Sequence, residues 1–357
     1  MPGSGDALRR LAPHKDSIPL WWKVTNRNKR GITLDLRKPE GKALLGRLIE
    51  SYGGKFPYRH VGRLGHHARL VAGNQPAACH PARHRIWPDR TLPQQSRLCR
   101  VFEAMSGLTR MCGEEGGTPL HLGYPISDAI GGLFGAIGIL AELYRPKDDK
   151  TARGQEIDCA VTEAMMRTLD FLAIEYDQLG SVRTQTGNRS QYAAPGNIYG
   201  TSDGKWASIA ASTQSIFERF CKALGMPHLI TDPRFIDNPS RVKNWQAIDR
   251  IVADAISKLT LDELRTLLHK YEVGFSPIYD AADIFADPHF IARESIVSVA
   301  DEELGPVRMQ CVVPRFSETP VAVRRAGPAL GQHNDEIFAA LGLSASDIAR
   351  LKANGTI

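Results

Sequence analysis

The strongest hydrophobic pattern of the chain lies between Leu122 and Asp158. Apolar side chains recur at helical spacing over Ala129–Tyr144 and predict a helix that ends before Pro146. Its apolar stripe consists of Ile130, Phe134, Ile137 and Leu140, and its other side carries Gly131, Gly135 and Gly138. Because each glycine weakens a helix by about 1 kcal/mol relative to alanine, three of them indicate close backbone packing or room for a ligand.

The N-terminal part of the chain shows a strand pattern followed by a helix pattern. Gly31–Leu36 alternates between apolar and polar residues and predicts a short strand. A helix is predicted beyond Arg37–Gly41 from the apolar positions Leu44, Leu45, Leu48 and Ile49. A strand followed by a helix is typical of α/β proteins, so we expect the α/β class.

The remaining chain alternates between the two periods. The predicted helices are a short one bearing Phe102, Met105 and Leu108, then Thr162–Leu179, Ser215–Leu224, Val242–Leu259, Asp262–Tyr271, Asp335–Leu341 and Asp347–Lys352. The predicted strands are Gln155–Val161, a hairpin of Asn197–Thr201 and Lys205–Ala210 around Asp203-Gly204, and Val307–Val313. Two helix starts are marked by capping-box spacing, at Thr260 with Glu263 and at Ser344 with Asp347.

Length and turn signals predict more than one domain. A chain of 357 residues exceeds the usual size of one domain, and a polar, glycine-bearing loop begins at Gly187. We expect a large domain over 1–186, a small α/β domain over 187–300, and a C-terminal segment, 301–357, that returns to the large domain.

The composition is that of a soluble globular protein, with 42% hydrophobic and 24% charged residues. The start, MPGSGDALRR, has no apolar run, so we expect no signal peptide. The apolar run Ala129–Leu143 is shorter than a membrane span and rich in glycine, so we expect no membrane partner. Six cysteines without a CxxC pair favour reduced thiols and a cytoplasmic location.

The net charge of +6 is unevenly distributed along the chain. Residues 51–100 carry nine Lys and Arg residues against one acid, Asp89, a net charge of +8, so the rest of the chain sums to −2. Nucleic-acid-binding proteins concentrate their cations on a folded face. Here the excess belongs to one anomalous segment, so we expect no nucleic-acid partner.

Residues 51–100 follow neither the helix period nor the strand period. Cys79, His80 and His84 stand close together, but no second ligand pair lies at zinc-finger spacing, so we expect no metal. Disorder is one interpretation of the segment. Another is translation in the wrong reading frame. Read one base later, with free choice of synonymous codons, Arg85–Cys99 can become GFGQTGPYRNNPGFA.

Asp128 is the acid with the most unusual setting, because it stands directly before the predicted glycine-bearing helix. Local pattern favours an N-cap that accepts hydrogen bonds from free backbone N–H groups. The alternative is a carboxylate nucleophile whose charge the helix N–H groups stabilise. Glu103 is either a second carboxylate of the site or a surface acid, and His333 is interpreted as structural. No GxGxxG, Walker A or GxSxG motif lies between a predicted strand and a predicted helix, and no HExxH motif occurs.

Seven stretches of the sequence carry a resemblance to a known family. They are NRNKRGITLDLRKPEGKALL (26–45), RVFEAMSGLTR (100–110), GYPISDAIGGLFGAIGILAELYR (123–145), TARGQEID (151–158), GNRSQYAAP (187–195), YGTSDGKW (199–206) and GQHNDEIFAALGL (331–343). In this order they resemble the class III CoA-transferases, the family that includes formyl-CoA transferase and carnitine CoA-transferase. The frame-corrected text of residues 51–100 resembles the family in the one remaining gap, and on this resemblance we expect a frameshift in 51–100.

The resemblance implies that Asp128 is the nucleophile of an acyl-CoA:carboxylate CoA-transferase. Its carboxylate would form a mixed anhydride with the donor acyl group and then an aspartyl-CoA thioester, without a metal. The resemblance also implies coenzyme A contacts at two stretches, which are Leu34, Asp35, Leu36 and Arg37, and Arg100, Val101, Phe102 and Glu103. Gly187 and its neighbours match a substrate-side loop. The expected partners are an acyl-CoA donor and a small carboxylate acceptor.

The fold implied by the resemblance is a Rossmann-like large domain plus a small α/β domain, in an interlocked homodimer. By the same resemblance, the chain begins after the family's first β-α-β unit, and Ala152 replaces a usual glycine. Two other functions stay open. One is a catalytically dead remnant that is both truncated and frameshifted. The other is a 2-methylacyl-CoA racemase, which is disfavoured because related racemases carry a histidine where Leu98 stands.

Overall fold

The computed structural model describes residues 2–51, 80–82, 99–144 and 156–357. Its helices in these ranges are α1 (Leu20–Thr25), α2 (Pro39–Ser51), α3 (Cys99–Met105), α4 (Leu108–Met111), α5 (Ile126–Leu143), α6 (Val161–Arg167), α7 (Leu172–Leu179), α8 (Gln214–Ala223), α9 (Asn238–Lys243), α10 (Trp245–Ile256), α11 (Leu261–Lys270), α12 (Ala281–Ala286), α13 (Pro288–Ala292), α14 (Asn334–Ala340) and α15 (Ala345–Ala353). Its strands are β1 (His14–Lys15), β2 (Ile18–Pro19), β3 (His80–Ala82), β4 (Glu156–Asp158), β5 (Gly196–Gly200), β6 (Trp206–Ala210), β7 (Phe275–Pro277), β8 (Ile296–Asp301) and β9 (Gly305–Gln310).

The described strands form small sheets. The pairs β1–β2 and β8–β9 are antiparallel, β3 and β4 pair in parallel, and β5, β6 and β7 form an antiparallel sheet. The turn between β5 and β6 contains Asp203 and Gly204, and Gly204 has a φ of 74°. A positive φ of this size favours glycine. The predicted hairpin is confirmed.

Backbone contacts divide the chain into two compact units. The first unit comprises residues 1–83, 134–159 and 281–357, and the second comprises 84–133 and 160–280. Helix α5 contributes its residues up to Leu133 to the second unit and the rest to the first. The domain boundaries predicted from the sequence, 1–186, 187–300 and 301–357, stay a prediction.

The core of the second unit packs α8, α10 and α11 against β5 and β6. Its fully buried side chains include Phe217, Phe220, Phe235, Ile248 and Leu264. Threonine and glutamate open α11 as predicted, because Thr260 accepts from the Glu263 N–H and the Glu263 carboxylate accepts from the Thr260 N–H. These two hydrogen bonds satisfy donors that a helix start otherwise leaves free.

The first unit packs α2 against the C-terminal helices. Leu44 and Leu48 of α2 meet Phe338 of α14 and Leu351 of α15 in a buried cluster. A second cluster joins Val299 of β8 to Met309 of β9 and Ala326. The predicted start of the last helix is confirmed, since Ser344 and Asp347 form a reciprocal capping box.

The strand predicted at Gly31–Leu36 is not formed. The backbone N–H groups of Gly31, Thr33 and Asp35 bond to C-terminal residues of the first unit instead of a neighbouring strand. The strand prediction from the period of two was therefore wrong, because pairing depends on a partner that the local sequence does not specify.

Two predicted long helices are each divided in two. Thr162–Leu179 is interrupted between α6 and α7, where Leu169 and Leu172 N–H groups bond to carbonyls three residues earlier. Val242–Leu259 is replaced by α9 and α10, which meet at Asn244. Hydrogen bonds three residues apart tighten the backbone at a helix end. The apolar period alone did not reveal these interruptions.

Helix α5 begins at Ile126, three residues before the predicted start. By length and composition alone, it is the one described helix that satisfies the requirements of a membrane span, contrary to the expectation from the shorter apolar run. A single helix of this kind is weak support for a membrane location. Most of residues 51–100, including Leu98, Cys79 and His84, and also Ala152, lie outside the described residues, so the predictions made on them stay untested.

Candidate active site

Asp128 is an exposed acid in the first turn of α5. The helix has already begun at Ile126, so Asp128 is its third residue and the N-cap interpretation is wrong. The preceding residue, Ser127, is fully buried, and its hydroxyl donates to the backbone carbonyl of Cys99 at 3.2 Å. This hydrogen bond joins the start of α5 to the start of α3 and fixes the direction in which Asp128 leaves the helix.

The glycines of α5 divide into packed and open positions. A Cβ on Gly131 would lie 3.0 Å from Cγ2 of Val161, and one on Gly138 would lie 3.1 Å from Cγ2 of Ile157. A Cβ on Gly132 would meet no atom within 4 Å. Residues four apart share a helix face, so the open position lies on the same face as Asp128. Close packing thus explains Gly131 and Gly138, whereas open space lies at Gly132.

The stretch Arg100–Glu103 lies in α3 and directly follows Cys99, whose carbonyl accepts the hydrogen bond from Ser127. Arg100 is exposed, Val101 is half-buried, and Phe102 and Glu103 are buried. The surface interpretation of Glu103 is therefore wrong, since only 1% of the residue is exposed. Its Oε2 lies 3.2 Å from Nδ1 of His121, and its Oε1 has no hydrogen-bond partner among the described residues.

His121 is the neighbour of Glu103, and the sequence did not single it out. It lies in the exposed segment that leads to Asp128, and its Nδ1 contacts both Glu103 and, at 3.4 Å, the hydroxyl of Thr109. Burial raises the pKa of the nearby Cys112 thiol, and the Glu103 carboxylate raises it further. A buried acid paired with a histidine is invisible to local periodicity because the two are 18 residues apart.

The stretch Leu34–Arg37 lies in the first unit, just before α2. Leu34 and Leu36 pack partly into the core beside Leu45 and Ile49, while Asp35 is buried and Arg37 projects outward with 70% of its side chain exposed.

Arg37 forms a bidentate ion pair with Asp35. Its Nε donates to Oδ1 at 2.9 Å, its Nη2 donates to Oδ2 at 2.8 Å, and its backbone N–H also donates to Oδ1. These hydrogen bonds hold the pKa of Asp35 well below its usual range and raise the pKa of Arg37. A guanidinium has five N–H donors, so three remain to face solvent.

The loop Gly187–Pro195 lies in the second unit beside an aromatic and charged cluster. Arg183 stacks on the rings of Phe171 and Tyr192, at 4.2 Å and 5.1 Å from their centres, pairs with Glu175, and donates to Gln191 at 2.8 Å. The same arginine lines a mostly apolar cavity of about 510 Å³ between α4, α6 and α7. The loop is thus tied to the wall of a cavity large enough for a small organic molecule.

The other end of the loop is fixed by a buried cation. Arg241 of α9 is fully buried and donates to the carbonyls of Ala194, Phe235 and Ser212, and to Oε1 of Gln214. A buried guanidinium needs such acceptors, because an unpaired buried charge is strongly unfavourable. Desolvation lowers the pKa of Arg241.

The predicted site residues fall into two sets. Asp128 and Arg100–Glu103 belong to the second unit, where the Ser127 hydrogen bond links their helices, and Leu34–Arg37 belongs to the first. Within the described ranges, no group of three or more His, Cys, Asp or Glu side chains is arranged to hold a metal ion.

Comparisons with known proteins give the class. The sequence profile of CoA-transferase family III matches residues 1–52 and 94–334. A succinyl-CoA–D-citramalate CoA-transferase from Chloroflexus aurantiacus is 37% identical over 363 residues, covering 100% of this chain and 89% of its own. The alpha subunit of a succinyl-CoA–L-malate CoA-transferase from the same organism is 33% identical, covering 100% of this chain and 84% of its own.

A solved structure agrees with this assignment. The crystal structure of a CAIB/BAIF family protein from Brucella suis has a TM-score of 0.81 and 26% identity, over 95% of this chain and 90% of that one. The protein is thus an enzyme of the CoA-transferase class, which uses acyl-CoA as a substrate. It belongs to CoA-transferase family III and has an α/β fold of that family, as predicted.

Proposed function

We propose that the protein is an acyl-CoA:carboxylate CoA-transferase in which Asp128 forms the covalent intermediates. The observation that carries this proposal is the setting of Asp128, an exposed carboxylate in the first turn of a helix whose next turn leaves open space on the same face. The N-terminal turn of a helix favours negative charge, because its backbone N–H groups are free and the helix dipole is positive there.

The reaction proceeds by four acyl exchanges at three carbonyl carbons, which are those of the donor, Asp128 and the acceptor. The Asp128 carboxylate attacks the donor thioester and expels the CoA thiolate, which leaves a mixed anhydride. The thiolate attacks the aspartyl carbonyl and releases the donor acid, which leaves an aspartyl-CoA thioester. The acceptor carboxylate attacks that thioester and expels the thiolate again. The thiolate then attacks the acceptor carbonyl of the new anhydride and frees Asp128. Backbone N–H groups stabilise the oxyanions that form at each step.

We further propose that Leu34–Arg37 and Arg100–Glu103 each supply coenzyme A contacts, as the family resemblance implies. Arg37 supplies the phosphate contact, because its fixed guanidinium keeps free N–H donors and suits phosphate geometry. Arg100 is exposed on α3 and adds a second cation. Phe102 is fully buried and supports α3 from within.

The donor and the acceptor are proposed from the names of the relatives. Both transferases from Chloroflexus aurantiacus are named for succinyl-CoA and for a hydroxylated dicarboxylic acid, and a human relative that is 24% identical is named succinyl-CoA:glutarate CoA-transferase. We therefore propose succinyl-CoA as the donor and a four- or five-carbon dicarboxylate as the acceptor.

Replacement of the nucleophile tests the reaction. Asp128→Ala is expected to abolish CoA transfer from succinyl-CoA while the thermal midpoint stays within a few degrees, because the side chain is exposed. Hydroxylamine added to the wild type with donor is expected to trap an aspartyl hydroxamate at residue 128, detected by mass spectrometry. Exposed Asp262→Ala is the matched control. Retained transfer by Asp128→Ala contradicts the proposal.

We also propose that the enzyme acts as a homodimer. Large apolar side chains are exposed along two helices, and they include Leu133, Ile137 and Leu140 of α5 and Ile174 and Leu179 of α7. Monomeric proteins rarely expose apolar patches of this kind. A second copy of the chain is the proposed cover.

A non-functional remnant is the second candidate. The family profile leaves residues 53–93 unmatched, and these lie within the segment whose sequence suggests a frameshift. Calorimetry with coenzyme A separates the two candidates. A remnant binds no CoA, whereas binding at micromolar concentration together with succinyl-CoA turnover contradicts the remnant.

A further inference from the structure

We infer that the turn Gly331–Asn334 is the positioning element of the coenzyme A segment. It holds Gly31 and Thr33 by hydrogen bonds to their backbone N–H groups and thereby places Arg37. His333 and Asn334 touch neither coenzyme A nor Asp128 in this role; they act through the backbone of the segment. The inference rests on the proposed function, since it takes Leu34–Arg37 as the nucleotide contact.

Three alternate residues of the segment bond to the C-terminal part of the chain. The Gly31 N–H faces Nδ1 of His333 at 3.0 Å, and the His333 N–H donates back to the Gly31 carbonyl at 2.9 Å. The Thr33 N–H donates to Oδ1 of Asn334 at 2.9 Å. The Asp35 N–H donates to the carbonyl of Thr356 at 2.8 Å. The C-terminal residues thus take the place of the neighbouring strand that the period of two predicts.

The Thr33–Asn334 contact is the most enclosed part of this arrangement. Both residues are buried, and Nδ2 of Asn334 also donates to the Thr33 hydroxyl at 2.7 Å. The side-chain oxygen and nitrogen of Asn334 are thus both paired with Thr33. Removing one partner would leave a buried donor without an acceptor, which is unfavourable.

Gly331 makes the contact possible. Its φ is 69°, and a Cβ there would lie 3.0 Å from Nδ2 of Asn334 and 3.3 Å from Oγ1 of Thr33. Any side chain at this position would therefore crowd the hydrogen bond as well as strain the turn. The turn is shaped around the Thr33 contact.

The position of the segment decides where Arg37 points. Asp35 is fixed by its N–H bond to Thr356, and the Asp35 carboxylate grips the Arg37 guanidinium. Gly41 lets α2 start against this arrangement, since a Cβ there would overlap the Asp35 carbonyl. A line of contacts therefore leads from Asn334 through Thr33 and Asp35 to the exposed cation.

The test is a set of three variants of the full chain. Asn334→Ala removes the contact, and Asn334→Asp keeps an acceptor for the Thr33 N–H and for its hydroxyl. Asp335→Ala, in the same helix as Asn334, removes an ion pair to Lys352 of α15 without touching the segment. We expect Asn334→Ala to raise the KM for succinyl-CoA and the Kd for CoA about tenfold, while kcat at saturation stays within about twofold. Asn334→Asp should restore both constants, and Asp335→Ala should leave them unchanged.

Amide hydrogen exchange of residues 31–37 gives a readout that does not depend on turnover. We expect faster exchange there in Asn334→Ala and not in Asp335→Ala. Faster exchange without a change in the CoA constants, or no change in exchange, overturns the inference while leaving the proposed function intact. If the wild type neither binds CoA nor transfers it, the proposed function fails and the inference falls with it.

Discussion

Ser127 and Asp128 are neighbours in the chain with opposite surroundings. Ser127 is fully buried and bonded to Cys99, while Asp128 is exposed to solvent. A nucleophilic carboxylate needs both properties, because the attacking oxygen must reach the substrate and must arrive from a fixed direction. The buried serine supplies the direction.

Replacement of Ser127 tests this division of roles. Ser127→Ala removes a hydrogen bond worth about 1 kcal/mol. We expect kcat for succinyl-CoA transfer to fall about fivefold. We expect the unfolding free energy to fall by about 1 kcal/mol. Steady-state kinetics and urea unfolding measure the two effects. Ser257→Ala, which removes a hydroxyl-to-carbonyl bond at an exposed helix end, should change neither; an unchanged kcat in Ser127→Ala would contradict the role.

The Asp35–Arg37 pair predicts a dependence of stability on pH. The pKa of folded Asp35 lies below the ordinary value of 3.8, so the folded state binds fewer protons than the unfolded state. Its stabilisation is complete above about pH 5 and is lost as the pH falls below 3.8 toward the lowered pKa. We expect the difference in urea midpoint between wild type and Asp35→Asn to shrink between pH 5 and pH 3. A difference in urea midpoint that stays constant from pH 5 to pH 3 would contradict the role of the Asp35–Arg37 pair. So would an Arg37→Ala variant whose stability depends on pH in the same way as that of the wild type.

At the scale of elements, α5 combines a packed face with an open one. Gly131 and Gly138 bring the helix against Val161 and Ile157, whereas Gly132 faces open space near Asp128. The same residue type therefore serves close packing at two positions and leaves room at a third. The helix is stable despite its glycines because tertiary packing outweighs intrinsic propensity.

Alanine substitutions distinguish the two faces. Gly132→Ala should raise the unfolding free energy by about 1 kcal/mol, because alanine favours a helix and meets no neighbour. Gly131→Ala should lower it, because the new methyl group would press on Val161. Urea unfolding of the two variants measures the difference. Equal effects would mean that the faces do not differ.

Local signals predicted the elements that local chemistry determines. The Asp203-Gly204 hairpin and the capping boxes at Thr260 and Ser344 follow from residues a few positions apart. The Gly31–Leu36 strand failed because its partners are supplied by residues about 300 positions away. The long helix over Thr162–Leu179 failed because its interruption leaves the apolar period intact.

The candidate site was predictable in identity more than in environment. The acid Asp128 was found from its position before an apolar helix, although its place inside the first turn was missed. The burial of Glu103 and its pairing with His121 were not foreseen, because both depend on how α3 packs against other helices. Their roles in catalysis and coenzyme A binding stay predictions.

At the scale of the molecule, the exposed apolar side chains of α5 and α7 predict self-association. Light scattering coupled to size exclusion should give about twice the chain mass of 39.3 kDa. Leu140→Glu, at a position 65% exposed, should reduce this mass toward that of one chain, since a buried unpaired charge opposes the interface. Lys222→Glu on the second unit is the control. A monomeric wild type would contradict the homodimer.

The Gly187–Pro195 loop is held by hydrogen bonds at both of its ends. At one end the Gly187 N–H bonds to the Gly113 carbonyl; at the other, Asn238 accepts from the Ala194 N–H and Arg241 binds the Ala194 carbonyl. We expect the residues between these ends to be replaceable by those of a relative that uses another acceptor acid, provided that Arg189, Gln191 and Tyr192 are kept, because they contact Trp245 and Arg183. The Arg241 contact thus marks the C-terminal limit of the segment to be exchanged in the design of new transferases.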